Sequence, residues 1–298
     1  MTGSVTVGFN GSPAGMTTVW WAAREAAARH LPIVLLHSWT TQPLDVPALP
    51  QEARAKRQYG LDVLRRAEAE VLHRYGDLDL STELVEAPAA DELVDRSADA
   101  ALLVVGSRGH GSLASFLLGS VSLHVLGQAR CPAVTVRAGD PSVDDGRGGP
   151  AAAADQDAVV VGVQEPGPGA DPLLDFAFGE AASHGTPLRV VRVLPLLASL
   201  AAHPHGKLVT DPVGPFEAEE HVRLTAALTP WREKFPGTPV EERVMTGHPS
   251  QALLTAAVTG RLLVVGRPRH RPGPWRLGPV AHAALHHVPC PVAIVPHD

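Results

Sequence analysis

The sequence predicts an α/β protein built as two tandem copies of one doubly wound domain. Three observations carry that prediction. Short apolar runs of strand character alternate with Ala-rich helical stretches along the 298 residues. The same order of elements recurs in the second half, at an offset that drifts only from 154 to 160. Between the copies lies Gly139-Asp-Pro-Ser-Val-Asp-Asp-Gly-Arg-Gly-Gly-Pro150, with turn-forming residues and no apolar periodicity, which reads as a linker. Strands alternating with helices point to a parallel sheet covered on both faces, and such strands are continuous apolar runs rather than alternating ones. The expected division is a first domain at 1–138, a linker at 139–156 and a second domain at 157–298.

Each copy reads β-α-β-α-β-α-β-α-β. In the first, strands are expected near 4–9, 33–38, 80–86, 101–106 and 133–137, with helices near 16–30, 52–75, 89–98 and 120–129. The opening strand Val5-Thr-Val-Gly-Phe9 matches Val159-Val-Val-Gly-Val163. The first helix then aligns Trp21-Ala-Ala-Arg-Glu-Ala-Ala27 with Phe176-Ala-Phe-Gly-Glu-Ala-Ala182. A proline introduces the second strand in both, Pro32-Ile-Val-Leu-Leu-His37 against Pro187-Leu-Arg-Val-Val-Arg192. The fourth strands are Leu102-Leu-Val-Val-Gly106 and Leu262-Leu-Val-Val-Gly266. Leu118-Gly-Ser-Val121 matches Leu277-Gly-Pro-Val280, and a Cys-Pro pair leads each copy into its last strand, Ala133–Val136 and Val292–Val295.

Composition excludes several classes. Residues 1–150 carry 13 basic against 17 acidic side chains and 151–298 carry 12 against 14, so neither half is a basic nucleic-acid module. The N-terminus has no secretory pattern and no apolar stretch reaches about 18 residues, the length a bilayer requires. A cytoplasmic protein is expected. Two cysteines, Cys131 and Cys290, make neither a disulfide framework nor a cysteine zinc site. With only Lys56, Lys207 and Lys234 as lysines, a phosphate site would depend on backbone N–H groups, hydroxyls or arginine.

Ligands of doubly wound sheets sit beyond the carboxyl ends of strands, where the strand order reverses. There the first copy reads Gly106-Ser-Arg-Gly109-His-Gly-Ser-Leu-Ala-Ser-Phe-Leu-Leu-Gly119-Ser120-Val-Ser122, a G-x2-G-x9-G-S spacing. Gly106 and Gly109 permit close backbone approach to an anion, and Ser120 is expected to cap the next helix, whose free N–H groups attract negative charge. Ser120 and Ser122 add hydroxyl donors, and Arg108 or His110 positive charge. There is no Walker lysine motif, and the glycines follow the fourth strand rather than the first, unlike a dinucleotide fingerprint. Spacing alone fits a phosphate cradle and a plain loop with a helix cap equally well.

Val7-Gly-Phe-Asn-Gly-Ser-Pro13, together with Val104-Val-Gly-Ser-Arg-Gly-His-Gly, Leu-Leu-Gly-Ser-Val-Ser122 and Cys-Pro-Ala-Val134, resembles the universal stress proteins of the UspA superfamily. The resemblance extends over nearly the whole chain as two tandem domains. It implies Rossmann-like domains of the adenine nucleotide alpha hydrolase type, each a five-stranded parallel sheet of order 3-2-1-4-5 flanked by helices. It also implies binding of ATP, or of AMP or ADP, with Mg as the accompanying ion, in a stress-linked regulator rather than an enzyme. Carried onto this chain, the phosphate loop is Gly106, Ser107, Arg108, Gly109, His110, Gly111 and Ser112 with Gly119, Ser120, Val121 and Ser122. Gly8 and Asn10 contribute to the adenosine pocket, and Ser38 faces adenine through its backbone. Asn10 stands where nucleotide-binding members usually carry Asp, and an amide is a poorer metal partner than a carboxylate.

The second copy departs further. Gly266-Arg-Pro-Arg269-His-Arg-Pro-Gly-Pro-Trp-Arg-Leu-Gly278-Pro279 loses the second glycine, and Pro279 removes an N–H where phosphate would need one. The first-strand loop becomes Gln164-Glu-Pro166. The four arginines 267, 269, 271 and 276 read as a solvated basic loop, and the acidic run Glu217 to Glu220 as a solvated helix face. His203, His205, His282, His286 and His287 supply no third zinc ligand. The cysteines read as small buried hydrophobes. The expectation is one nucleotide site in the first domain and a degenerate second domain that serves as its pseudo-dimer partner. The last strands, Ala133–Arg137 and Val292–Val295, would pair antiparallel, and two chains could associate as a homodimer. The alternative is a stress-related dimeric scaffold that binds no nucleotide.

Overall fold

The chain enters a five-stranded sheet at its centre and leaves it at an edge, and it does so twice. The computed structural model describes residues 3–40, 50–107, 118–137, 143, 157–194, 215–269 and 277–298. Met1–Gly148 and Gly149–Asp298 form separate compact units. The stretches 41–49 and 195–214, in which sequence places divergent Pro-rich loops, fall outside the described residues, as does nearly all of the linker.

In the first unit the elements are β1 (Val5–Gly8), α1 (Pro13–Arg29), β2 (Ile33–Ser38), α2 (Pro50–Arg74), β3 (Leu80–Val85), α3 (Ala89–Arg96), β4 (Leu102–Gly106), α4 (Ser120–Gln128) and β5 (Ala133–Val136). Every pairing is parallel and the order is β3-β2-β1-β4-β5. Val5, Val7 and the run Leu102 to Val105 are buried, as central strands covered on both faces require. Helix α1 starts earlier than the Ala-rich pattern suggests. Pro13 occupies its first turn, and the Ser12 hydroxyl caps it by accepting from Gly15 N at 3.0 Å. It ends at His30, which adopts the left-handed conformation with φ 53°.

The second unit repeats the plan with β6 (Ala158–Val163), α5 (Asp171–His184), β7 (Leu188–Leu194), α6 (Pro215–Lys234), β8 (Val240–Thr246), α7 (Pro249–Ala256), β9 (Gly260–Pro268), α8 (Pro279–His287) and β10 (Val292–His297). Its order, β8-β7-β6-β9-β10, is the same and all parallel. One difference bears on the site. The β4–β5 ladder stops at Gly106↔Val136, whereas the β9–β10 ladder continues past Gly266↔Val295 to Arg267↔Pro296 and Pro268↔His297.

The two units also share a packing constraint at the end of the first strand. A Cβ on Gly8 would lie 2.8 Å from Leu93 Cδ1, and one on Gly162 would lie 2.7 Å from Leu253 Cδ1. Leu93 and Leu253 are buried residues of α3 and α7, each closing over the central strand of its own sheet. Gly8→Ala and Gly162→Ala should each lower the stability of their own domain by about 1–2 kcal/mol through overpacking. Urea unfolding of the two variants checks this, with similar losses expected.

Candidate functional site

The sheet order reverses between β1 and β4, so the connections that follow them part and leave a crevice at their carboxyl ends. Gly106 ends β4 against helix α1, where a Cβ would lie 2.8 Å from Thr18 Oγ1. Its carbonyl accepts a hydrogen bond from Ser122 Oγ at 2.7 Å, and the next residue, Ser107, donates its N–H to Val136 O at 2.8 Å. The end of β4 is thus fastened to the first turn of α4 on one side and to β5 on the other.

The start of α4 differs from the sequence expectation. Gly119, not Ser120, is the N-cap, with extended φ −67° and ψ 154° and no side-chain cap. Ser120 is the first helical residue and is exposed, and Val121 is half-buried. Ser122 is buried and its hydroxyl proton is engaged by Gly106, so it braces the loop rather than presenting a donor outward. A glycine cap has no side chain to accept from the first-turn N–H groups, so the cap itself does not compete with an anion for the positive end of the helix. Arg108, Gly109, His110, Gly111 and Ser112 lie outside the described residues.

On the other side of the crevice the loop after β1 closes on itself. Asn10 Oδ1 accepts from Ser12 N at 3.0 Å and from Ser12 Oγ at 2.8 Å, while Ser12 Oγ accepts from Gly15 N. An aspartate could accept both bonds as well, so the amide preserves the loop and removes only a negative charge. Ser38 ends β2, and its hydroxyl donates to Ala87 O at 2.6 Å, tying β2 to the turn after β3. Sequence reasoning passed over His37. It is buried, and its Nδ1 lies 2.8 Å from Phe9 O. A carbonyl only accepts, so Nδ1 carries the proton and the imidazole anchors the β1–α1 connection to β2. The available signal was a polar residue ending an apolar strand.

The second unit separates packing from binding. Gly8 and Gly106 have equivalents in Gly162 and Gly266, all four with little room for a Cβ, so packing alone accounts for those glycines. What the first unit has and the second lacks is Ser120, replaced by Pro279, and the Ser122 brace, replaced by Ala281. Two sequence readings are corrected here. Arg267 is buried within β9 rather than part of a solvated loop, and Glu220 is 4 % exposed and ion-paired rather than on a solvated helix face. The cysteines are both buried, and desolvation pushes the Cys131 thiol up to about 12, which keeps it protonated and unreactive at neutral pH. Among the described residues no helix is long and apolar enough to cross a membrane.

Comparison with known proteins agrees with this architecture. The model of the universal stress protein family matches residues 1–137 and again 157–296. A universal stress protein of Mycolicibacterium smegmatis is 31% identical over 274 residues, covering 88% of this chain and 86% of its own. One from Mycobacterium bovis is 29% identical over 304 residues, covering 97% and 96%. The crystal structure of a universal stress protein from Archaeoglobus fulgidus covers 99% of this chain and 98% of its own with a TM-score of 0.70 at 16% identity, a likeness of fold. With two matches that together span nearly its whole length, the chain belongs to the universal stress protein family, in the tandem two-domain form.

Proposed function

We propose that residues 1–138 bind ATP or a related adenine nucleotide as a regulatory ligand, in a protein of the cytoplasm that is not primarily an enzyme. The observation that carries this reading is the glycine-capped α4, pinned to the end of β4 by the Ser122–Gly106 hydrogen bond. Backbone donors held against a strand end suit a phosphate chain, and this chain has few lysines to serve instead. Gly109 to Ser112 complete the loop in sequence. Asn10 leaves the phosphate region without the carboxylate that would help hold Mg, so the nucleotide binds with modest help from the ion. Among its described residues the site offers binding groups without an evident general base, which favours ligand sensing over turnover. The second domain, with Pro279 and Ala281 in place of the two serines, serves as the pseudo-dimer partner through β5 and β10, the edge strands of their own five-stranded sheets.

Calorimetry with ATP should detect one site per chain in the wild type and none in Gly109→Arg, which copies the residue of the second repeat. Absence of binding by the wild type returns the protein to the scaffold reading. Ser122→Ala should weaken ATP binding about five-fold by releasing the Gly106 carbonyl, with little loss of domain stability in the same thermal scan. Hydrogen exchange checks the domain pairing. All amides of Ala133–Val136 and Val292–Val295, on both edges of each strand, should exchange slowly, and fast exchange on the edge turned away from β4 and β9 would refute it.

A further inference from the structure

In the second domain the place of the crevice is taken by four charged side chains. Arg192, near the end of β7 and 6 % exposed, donates Nε and Nη2 to Glu220 Oε2 at 3.3 and 3.2 Å. The same Nη2 lies 3.4 Å from Glu165 Oε1. Glu220, on α6, also pairs with Arg223 one turn further along, and Arg223 Nη2 stands 4.0 Å from Glu165 Oε2. Glu165 belongs to the loop after β6, and its side chain is 70% exposed. An exposed carboxylate therefore bridges two guanidiniums that a buried carboxylate also holds.

The first domain shows what this cluster replaced. Counting on from the equivalent pairs Val5↔Ile33 and Val159↔Leu188 gives Gly11 the position of Glu165 and His37 that of Arg192. The equivalent ends of α2 and α6 place Gly60 opposite Glu220 and Val63 opposite Arg223. These positions touch in the first domain as well. A Cβ on Gly11 would lie 2.9 Å from Val63 Cγ1, and one on Gly60 would lie 3.0 Å from His37 Cδ2. Four neighbouring positions that are small or uncharged in one copy are thus all charged in the other. The buried half of the set is coupled, because a guanidinium as buried as Arg192 needs a carboxylate beside it, which Glu220 supplies.

The cluster balances two guanidiniums against two carboxylates, but the two acids are not equivalent. Glu220 is buried and bonded to both arginines, whereas Glu165 reaches them from solvent at longer range. We propose that Arg192 and Arg223 form an oxyanion site in the second domain whose resident anion is the chain's own Glu165 carboxylate. Removing that carboxylate leaves an excess positive charge facing solvent, suited to phosphate or pyrophosphate through charge-assisted hydrogen bonds. The residues all lie in the second domain, so the inference stands apart from nucleotide binding in the first.

The test is calorimetric titration of the full chain with pyrophosphate, for wild type, Glu165→Ala, Glu165→Gln and the double variant Glu165→Ala/Arg223→Ala. Any uptake by the first domain is common to all four proteins and cancels in the comparison. Both single variants should bind pyrophosphate at least about ten-fold more tightly than wild type, a gain of one charge-assisted contact. The double variant should return to the wild-type affinity. The proposal is overturned if neither single variant binds more tightly than wild type, or if the double variant keeps the gain. Glu165 is exposed and Arg223 half-exposed, so these substitutions leave the core intact, and Glu165→Gln keeps the side-chain volume.

Discussion

The divergence of the chain at its first strand is the constraint from which the rest follows. In each unit the first strand feeds a neighbour on one side and receives the fourth strand on the other. Right-handed crossovers then place helices on both faces, and the backbone at the carboxyl ends of the two central strands is left to be satisfied by loops and helix termini. Gly8 and Gly162 are fixed by the leucines that close over them, so the plan imposes those glycines whether or not a ligand is bound. Function enters through what each copy does with the space beyond.

The copies solve that problem in opposite ways. Among the described residues the first uses uncharged groups: Asn10 and Ser12 close the loop by hydrogen bonds, His37 ties that loop to β2, and α4 meets the end of β4 with a glycine N-cap. The second continues the β9–β10 ladder two pairs past Gly266↔Val295, and fills the other side with Glu165, Arg192, Glu220 and Arg223. The cluster contributes two basic and two acidic side chains, so it leaves the net charge of the second half unchanged.

Much of the fold was legible because its signals are local. Strand boundaries followed apolar runs such as Leu102 to Gly106, and the repeat supplied each element twice. The early start of α1 was written in Ser12-Pro13, a cap and first-turn signal that the Ala-rich pattern overshadowed. The site was less legible. Ser120 and Gly119 are adjacent, and only backbone conformation decides which of them caps α4. Glu220 carries the same helical signature as its exposed neighbours, and nothing in the local pattern shows that it pairs with Arg192 of β7.

The sequence by itself determined the family, the tandem repeat and the parallel α/β plan. These rest on periodicity, glycine spacing and recurrence, all of which are properties of neighbours along the chain. Only the tertiary structure decided which polar groups are engaged and which remain available. Ser122 proved to be a brace, Gly119 the cap, His37 an anchor, and the charged residues of the second copy a single cluster. The physical reason is that hydrogen bonds and ion pairs join residues tens of positions apart, as Arg192 and Glu220 do, and their partners are set by strand register and helix packing rather than by local spacing.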